Sequence, residues 1–147
     1  MRTTIFNAIV TLLQGITKLQ SETGQVHVYD WPITAPAGYP YVTVQASRME
    51  SDELSNMQDV RRYFFTVQVV GEKFGDQAGK TQSQALAVMR ETEDAIFDAF
   101  DADNDLGLGN QIIVTRPIQD DWAVSGDNTR VVLTMTVMVE AAVDITR

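Results

Sequence analysis

The chain has no cysteine, one histidine and four prolines among its 147 residues, and no apolar run approaching the roughly 20 residues that cross a bilayer. Without cysteine there is no disulfide framework, no thiolate nucleophile and no Cys-ligated metal. His27 stands alone, and neither a G-x-S-x-G nor an H-E-x-x-H segment accompanies it. A triad needs a nucleophile and an orienting acid around its base, so His27 reads as a structural strand residue. Basic side chains are scarce too: 11 Lys and Arg stand against 20 Asp and Glu, a net charge of −9. A grip on nucleic acid needs clustered cations to displace counterions, and this composition excludes one. An acidic surface remains compatible with DNA that slides past unheld. Gly107 and Gly109 form a lone G-x-G with no helix after it, which is no nucleotide fingerprint. The N-terminal stretch has an Arg ahead of apolar residues, but Asn7, Thr11 and Gln14 interrupt it and no small-residue cleavage site follows. It reads as a helix of the mature protein rather than a signal peptide.

What is present reads as one domain, residues 1–147, with 44% apolar and 21% charged residues, ordinary for a globular core. Over residues 4–20, Ile5, Ile9, Leu12, Ile16 and Leu19 fall at steps of four and three, predicting a helix. Thr3 or Thr4 would cap its start, and Gly24 follows its end. Phe6, Val10 and Leu13 widen the stripe beyond one sheet contact, so part of it is expected to meet a neighbouring subunit. Residues 25–31 alternate and predict a strand, before Pro32, Pro36, Gly38 and Pro40 impose a loop. Alternation resumes over 41–49, and the polar stretch 50–58 predicts a long hairpin tip. Residues 60–72 predict a strand with Tyr63, Phe65, Val67 and Val69 on one face and Arg62, Phe64, Thr66 and Gln68 on the other. A second helix over 82–100 aligns Ala85, Met89, Thr92, Ile96 and Ala99, with Glu93 close by and Arg90, Glu91, Asp94 and Asp98 on the outer face. A strand over 111–118 is expected to end near Pro117, with a loop over 119–128. Residues 129–144 then alternate without interruption, about 50 Å of strand at about 3.3 Å per residue, which suggests a sheet projecting past the subunit or joining a neighbour's edge. The order α-β-β-β-α-β-β predicts an α+β fold, a mainly antiparallel sheet with two α-helices packed on one face.

Candidate sites are few. Asp101, Asp103 and Asp105 occupy positions 1, 3 and 5 of a calcium-type loop, but Leu106 stands where glycine is needed and Ile112 where a bidentate Glu is needed. The plainer reading is a solvated acidic helix end. It carries a cost, because seven acids between Glu91 and Asp105 crowd the negative end of a helix dipole. A surface tolerating that cluster has a use for it, as a repulsive lining or a docking patch. Asp98, Asp101, Asp103 and Asp105 are its candidate members. The adjacent pairs Asp120/Asp121 and Glu93/Asp94 are expected to point apart as solvated charges. Trp31 and Trp122 are either interface anchors or caps on the core. Arg61 and Arg62, with Asp52 and Glu53 on the hairpin tip and Asp120, Asp121 and Trp122 in the 119–128 loop, are candidate interface residues. No cofactor and no metal is expected.

Charge divides unevenly: residues 1–73 carry six basic and seven acidic side chains, residues 74–147 five and thirteen. An amphipathic helix leads into a V-x-V-Y strand (Val26 to Tyr29), a Pro/Gly loop into Gly38-Tyr39-Pro40-Tyr41-Val42, an Arg-led aromatic strand over 61–70, a helix, and a long last strand with Val137, Val139, Glu140 and Ala141 near its end. This order resembles the tail terminator, or tail completion, family of long-tailed bacteriophages, the broad group that includes the lambda minor tail protein U. The resemblance spans nearly the whole chain as architecture and a few phrases. It implies a non-enzymatic virion protein, located at the head-proximal end of the tail and built in the host cytoplasm. It implies a ring, hexameric in that family, seated on the tail tube, stopping polymerisation and offering a surface to the head-side connector. DNA would pass through its acidic channel without sequence-specific binding, and no membrane is involved. Two other classes are a different neck, connector or tube protein, and an enzyme with a metal-assisted acidic site around residues 101–105. The polar stretches 50–58 and 119–128 are expected to be poorly ordered in a free monomer and to order on assembly.

Overall fold

The computed structural model describes residues 1–30, 36–53, 57–75 and 78–144. Helix α1 (Arg2–Gln14) buries Ile5, Ile9 and Leu13. It stops earlier than the periodicity predicts: the Gly15 N–H closes on the Leu12 carbonyl, and a 3₁₀ turn (Thr17–Leu19) carries Leu19 into the core. The i+3/i+4 spacing therefore continues through a tighter turn, not a longer helix. Neither Thr3 nor Thr4 caps α1; its N-cap position is Met1, so both threonines lie inside the first turn. Helix α2 (Gln82–Ala102) starts on a capping box in which Thr81 Oγ1 accepts from the Gln84 N–H (3.2 Å) and Gln84 Oε1 accepts from the Thr81 N–H (2.9 Å).

The strands β1 (His27–Tyr29), β2 (Tyr41–Glu53), β3 (Gln58–Lys73), β4 (Ile112–Val124) and β5 (Arg130–Asp144) form one five-stranded sheet in the order β1-β2-β3-β5-β4. Every neighbour is antiparallel except the short β1, which runs parallel to β2 with Val28 opposite Val42. Both helices lie on one face. The Phe6 ring sits 6.5 Å from Phe65, and Met89 crosses β3 so closely that a Cβ at Gly71 would lie 2.9 Å from its Cε. The α+β architecture with two helices on one sheet face is the one the element order predicts. On that face Val42 and Val44, Phe65, Val67 and Val69, and Leu133, Met135, Val137 and Val139 are all buried. The odd-numbered residues of β3 and β5 follow the predicted alternation.

Parts of two expected loops are strand instead. Of the stretch 50–58, residues 50–53 and 58 are in strands: Glu50, Ser51, Asp52 and Glu53 oppose Arg62, Arg61, Val60 and Asp59. The stretch 119–128 is β4 as far as Val124, and only 125–129 turn. There Asp127 Oδ1 accepts from Ser125 Oγ (2.6 Å) and Thr129 Oγ1 (2.6 Å), while Asn128 takes the left-handed conformation at φ 58°. These hydroxyl donors hold the Asp127 carboxyl at about 2, below its usual 3.8. Pro117 does not end β4, because an edge strand tolerates a missing donor and the register shifts beside it. Residues 50–53 and 119–124 of these stretches are paired into the sheet. Trp31 and residues 54–56 lie outside the described residues.

Candidate functional site

The predicted candidates fall into three places on the sheet. The first is the far end of β2 and β3. Val42, Thr43 and Val44 are buried, yet residues 46–53 of the same strand are exposed throughout. The end of β2 thus runs on as an exposed outer arm along β3, which β5 pairs from its other side. A register shift at Ala46/Arg48, with Ser47 Oγ donating to the Phe64 carbonyl (3.0 Å), marks where it leaves the body. Beyond that point Arg48 lies on the sheet face away from the helices, its guanidinium 4.2 Å over the Phe64 ring. Arg62 shares this face and bridges three strands: Nη1 donates to Asp52 Oδ2 (2.8 Å) on β2 and Nε to Glu140 Oε2 (3.2 Å) on β5. Asp52 first, then Glu140, hold the guanidinium more firmly protonated than usual. Its pairs are with its own chain, so this charge is spent within the subunit. Arg61 faces the other way, 3.7 Å from Asp59, and its buried Nε has no hydrogen-bond partner among the described residues. Glu53 closes β2 opposite Asp59.

The second place is the end of α2. Asp98 and Asp101 project outward and are exposed; Asp103 is the C-cap. Asp105 Oδ1 accepts from the Gly107 N–H (2.9 Å), the turn that sends Leu106 into the core at φ 55°. The carboxylates are thus divided between solvent and turn closure. Among the described residues no three His, Asp or Glu side chains are grouped to hold a metal ion. No described helix is long and apolar enough to cross a membrane.

The third place is β4. Its register puts Asp120 opposite Met135 and Trp122 opposite Leu133 on the helix face, and Asp121 opposite Thr134 on the other. The neighbouring acids do point apart, as strand alternation requires. Trp122 is half-buried and packs against the core, so it caps the core from a strand rather than a loop. A pairing that the sequence does not reveal joins α2 to β4: Glu93 shares a hydrogen bond with Asp120. Burial first, then that hydrogen bond and the negative charges of Asp120 and Asp94, push the Glu93 carboxyl up from 4.5 to about 7. The available signal was Glu93 beside the buried row of α2; its partner was hidden because 119–128 read as a loop.

His27 is half-buried, with Nε2 3.0 Å from Ser21 Oγ, which in turn lies 2.7 Å from Thr23 Oγ1. Ser21 is buried and no carboxylate bonds the ring among the described residues, so the contact ties the loop before β1 in place. Among the described residues, five of the six exposed large apolar side chains lie on the outer strands or the arm: Met49, Met57, Ile113, Ile118 and Val124. No protein-family model matches the chain, and no curated protein matches it.

Proposed function

We propose that this chain is a structural assembly protein of the tail-terminator type, closing as a ring, by resemblance a hexamer, on the end of a phage tail tube. One observation carries the reading: eight successive strand residues, 46–53, are exposed although Arg48 to Glu53 pair with β3 without a shift. Here β2 is the outer strand, laid on β3 while β5 holds the other side of β3, and its faces have no cover. An arm of this kind finds its burial between subunits, and Met49, 41% exposed, is an apolar residue on it that a neighbour would cover. Such contacts between unlike surfaces form rings when the rotation closes.

The acidic channel of this reading is formed by the outer side of α2 and the turn after it, with Asp98, Asp101, Asp103 and Asp105 repeated around the ring. Like charge facing the phosphate backbone lets DNA pass without holding it. The tube below and the head-side connector above are the partners, in the virion at the head-proximal end of the tail. The test is solution mass by light scattering across concentration, with negative-stain images of the same sample, alone and with purified tail tubes. Rings of about six subunits, free or seated on tube ends, support the reading. Long filaments formed by the chain alone identify a tube subunit instead. A monomer that leaves tube ends bare overturns both.

A further inference from the structure

We propose that the free edge of β4 over residues 119–124 is a strand-addition site for an extended, basic segment of a partner protein. The inference goes beyond the ring reading and does not need it. β4 is the last strand of the sheet: β5 lies on one side, and no strand among the described residues lies on the other. An outer strand presents a row of unspent N–H and C=O groups, and proteins blunt such edges with bulges, prolines and charges. Here the blunting covers only half of the strand. The first half carries register shifts at Ile112/Val114 and Pro117/Gln119 and the donor-less Pro117 between them. From Gln119 to Val124 the ladder runs residue for residue against Thr136 to Val131 with no shift, which leaves about 20 Å of regular edge. Exposed Ile118 and Val124, at 43% and 37%, bracket it.

The chemistry of that stretch selects the occupant. Asp120 lies on the helix face beside Glu93, and Asp121 lies on the opposite face. A strand laid along this edge sets two consecutive side chains against the two acids, one on each face. Lys or Arg at both positions pairs with them, and β-branched residues on either side meet Trp122 and Val124. A second copy of the same edge is rejected, because antiparallel pairing would bring aspartate against aspartate. The Glu93 and Asp120 carboxyls already crowd one another and Asp94, so an incoming cation relieves a repulsion that the fold otherwise carries. The cation on β4 itself, Arg116, lies in the bulged half, opposite Met138.

The test uses the full chain and two synthetic ten-residue peptides of alternating valine and threonine. One has a central Lys–Arg pair and its twin a central Asp–Glu pair. Affinity is read by fluorescence anisotropy at low salt, and amide hydrogen exchange by residue-resolved NMR. The basic peptide should bind about tenfold more tightly than its twin and slow exchange at residues 119–124. In Asp121→Lys, a change at an exposed position, the preference should fall or reverse. Equal affinity of the two peptides, or protection appearing on the β2–β3 arm and not on β4, overturns the proposal. If the variant fails to fold, the wild-type exchange map alone decides.

Discussion

Within β2 the same alternation has two fates. Val42 and Val44 are buried, whereas Met49 and Ser51, on the same face of the same strand, are exposed. What separates them is the cover: α1 reaches the sheet at Phe65, near where β2 shifts register, and the arm runs on past it. Strand formation on the arm is therefore a matter of backbone pairing and cross-strand charge. In the body it is a matter of apolar burial. Under the proposed function the two are kept apart, since burial holds the body and the arm stays available.

The comparison can be broken first at its most buried point. Val137 is fully buried on the central β5, opposite Phe65 and Pro117. Val137→Asp places an unpaired charge in the core and should cost about 4 kcal/mol, read as a large fall in the denaturant midpoint at 25 °C. Full stability would mean that this face is not buried as described. A smaller effect is expected where body meets arm. Arg62→Ala leaves the part-buried Glu140 and the exposed Asp52 without their shared cation, and should destabilise the fold by less than Val137→Asp does. Hydrogen exchange should speed up along residues 48–53 and 58–64 while the rest of the sheet keeps its protection. Uniform acceleration would show that the arm has no local stability of its own.

The Glu93–Asp120 pair tests the other side of the sheet. A carboxyl whose folded value is raised from 4.5 to about 7 binds its proton more tightly in the native state. Its stabilising contribution is complete below about pH 4.5 and is lost as the pH rises through about 7. Glu93→Gln keeps a hydrogen-bond donor toward Asp120 and removes the repulsion. At pH 8 the variant should exceed the wild type by on the order of 1 kcal/mol, discounted for solvent screening, with the difference shrinking toward pH 4.5. A difference independent of pH would remove the pair. The smallest effect on folding is expected for Met49→Asp, within about 0.5 kcal/mol as for other surface changes, yet it should abolish ring formation under the proposed function. Unfolding as severe as that of Val137→Asp would erase the distinction between arm and body.

How much of this was readable from residues follows the same division. Where a strand faces a helix, as in 63–70 and 131–143, its apolar residues alternate and both strand and face could be assigned. Residues 50–53 and 119–124 looked like loops because no run of apolar side chains marks a covered face there: an outer strand held by backbone pairing seats Glu50, Asp52, Asp120 and Asp121, and over 119–124 Trp122 packs against the core. The parallel pairing of the three-residue β1, the end of α1 at Gly15 and the meeting of Glu93 with Asp120 were equally hidden, since each depends on a partner remote in the chain. The acids after α2 were visible as a cluster, but their division into outward-facing Asp98 and Asp101 and turn-closing Asp105 was not.

By itself, the sequence determined the order of elements, the two helices, the apolar faces of β3 and β5 and the acidic excess of the second half. These are local properties, written in the spacing of apolar side chains and the count of charges. Only the tertiary structure decided how far β2 and β4 extend, which edge stays free and which carboxyls share a proton. Backbone pairing supplies a polar stretch with hydrogen bonds that its side chains do not encode, and a charge acquires its proton affinity from neighbours that only the folded chain brings together.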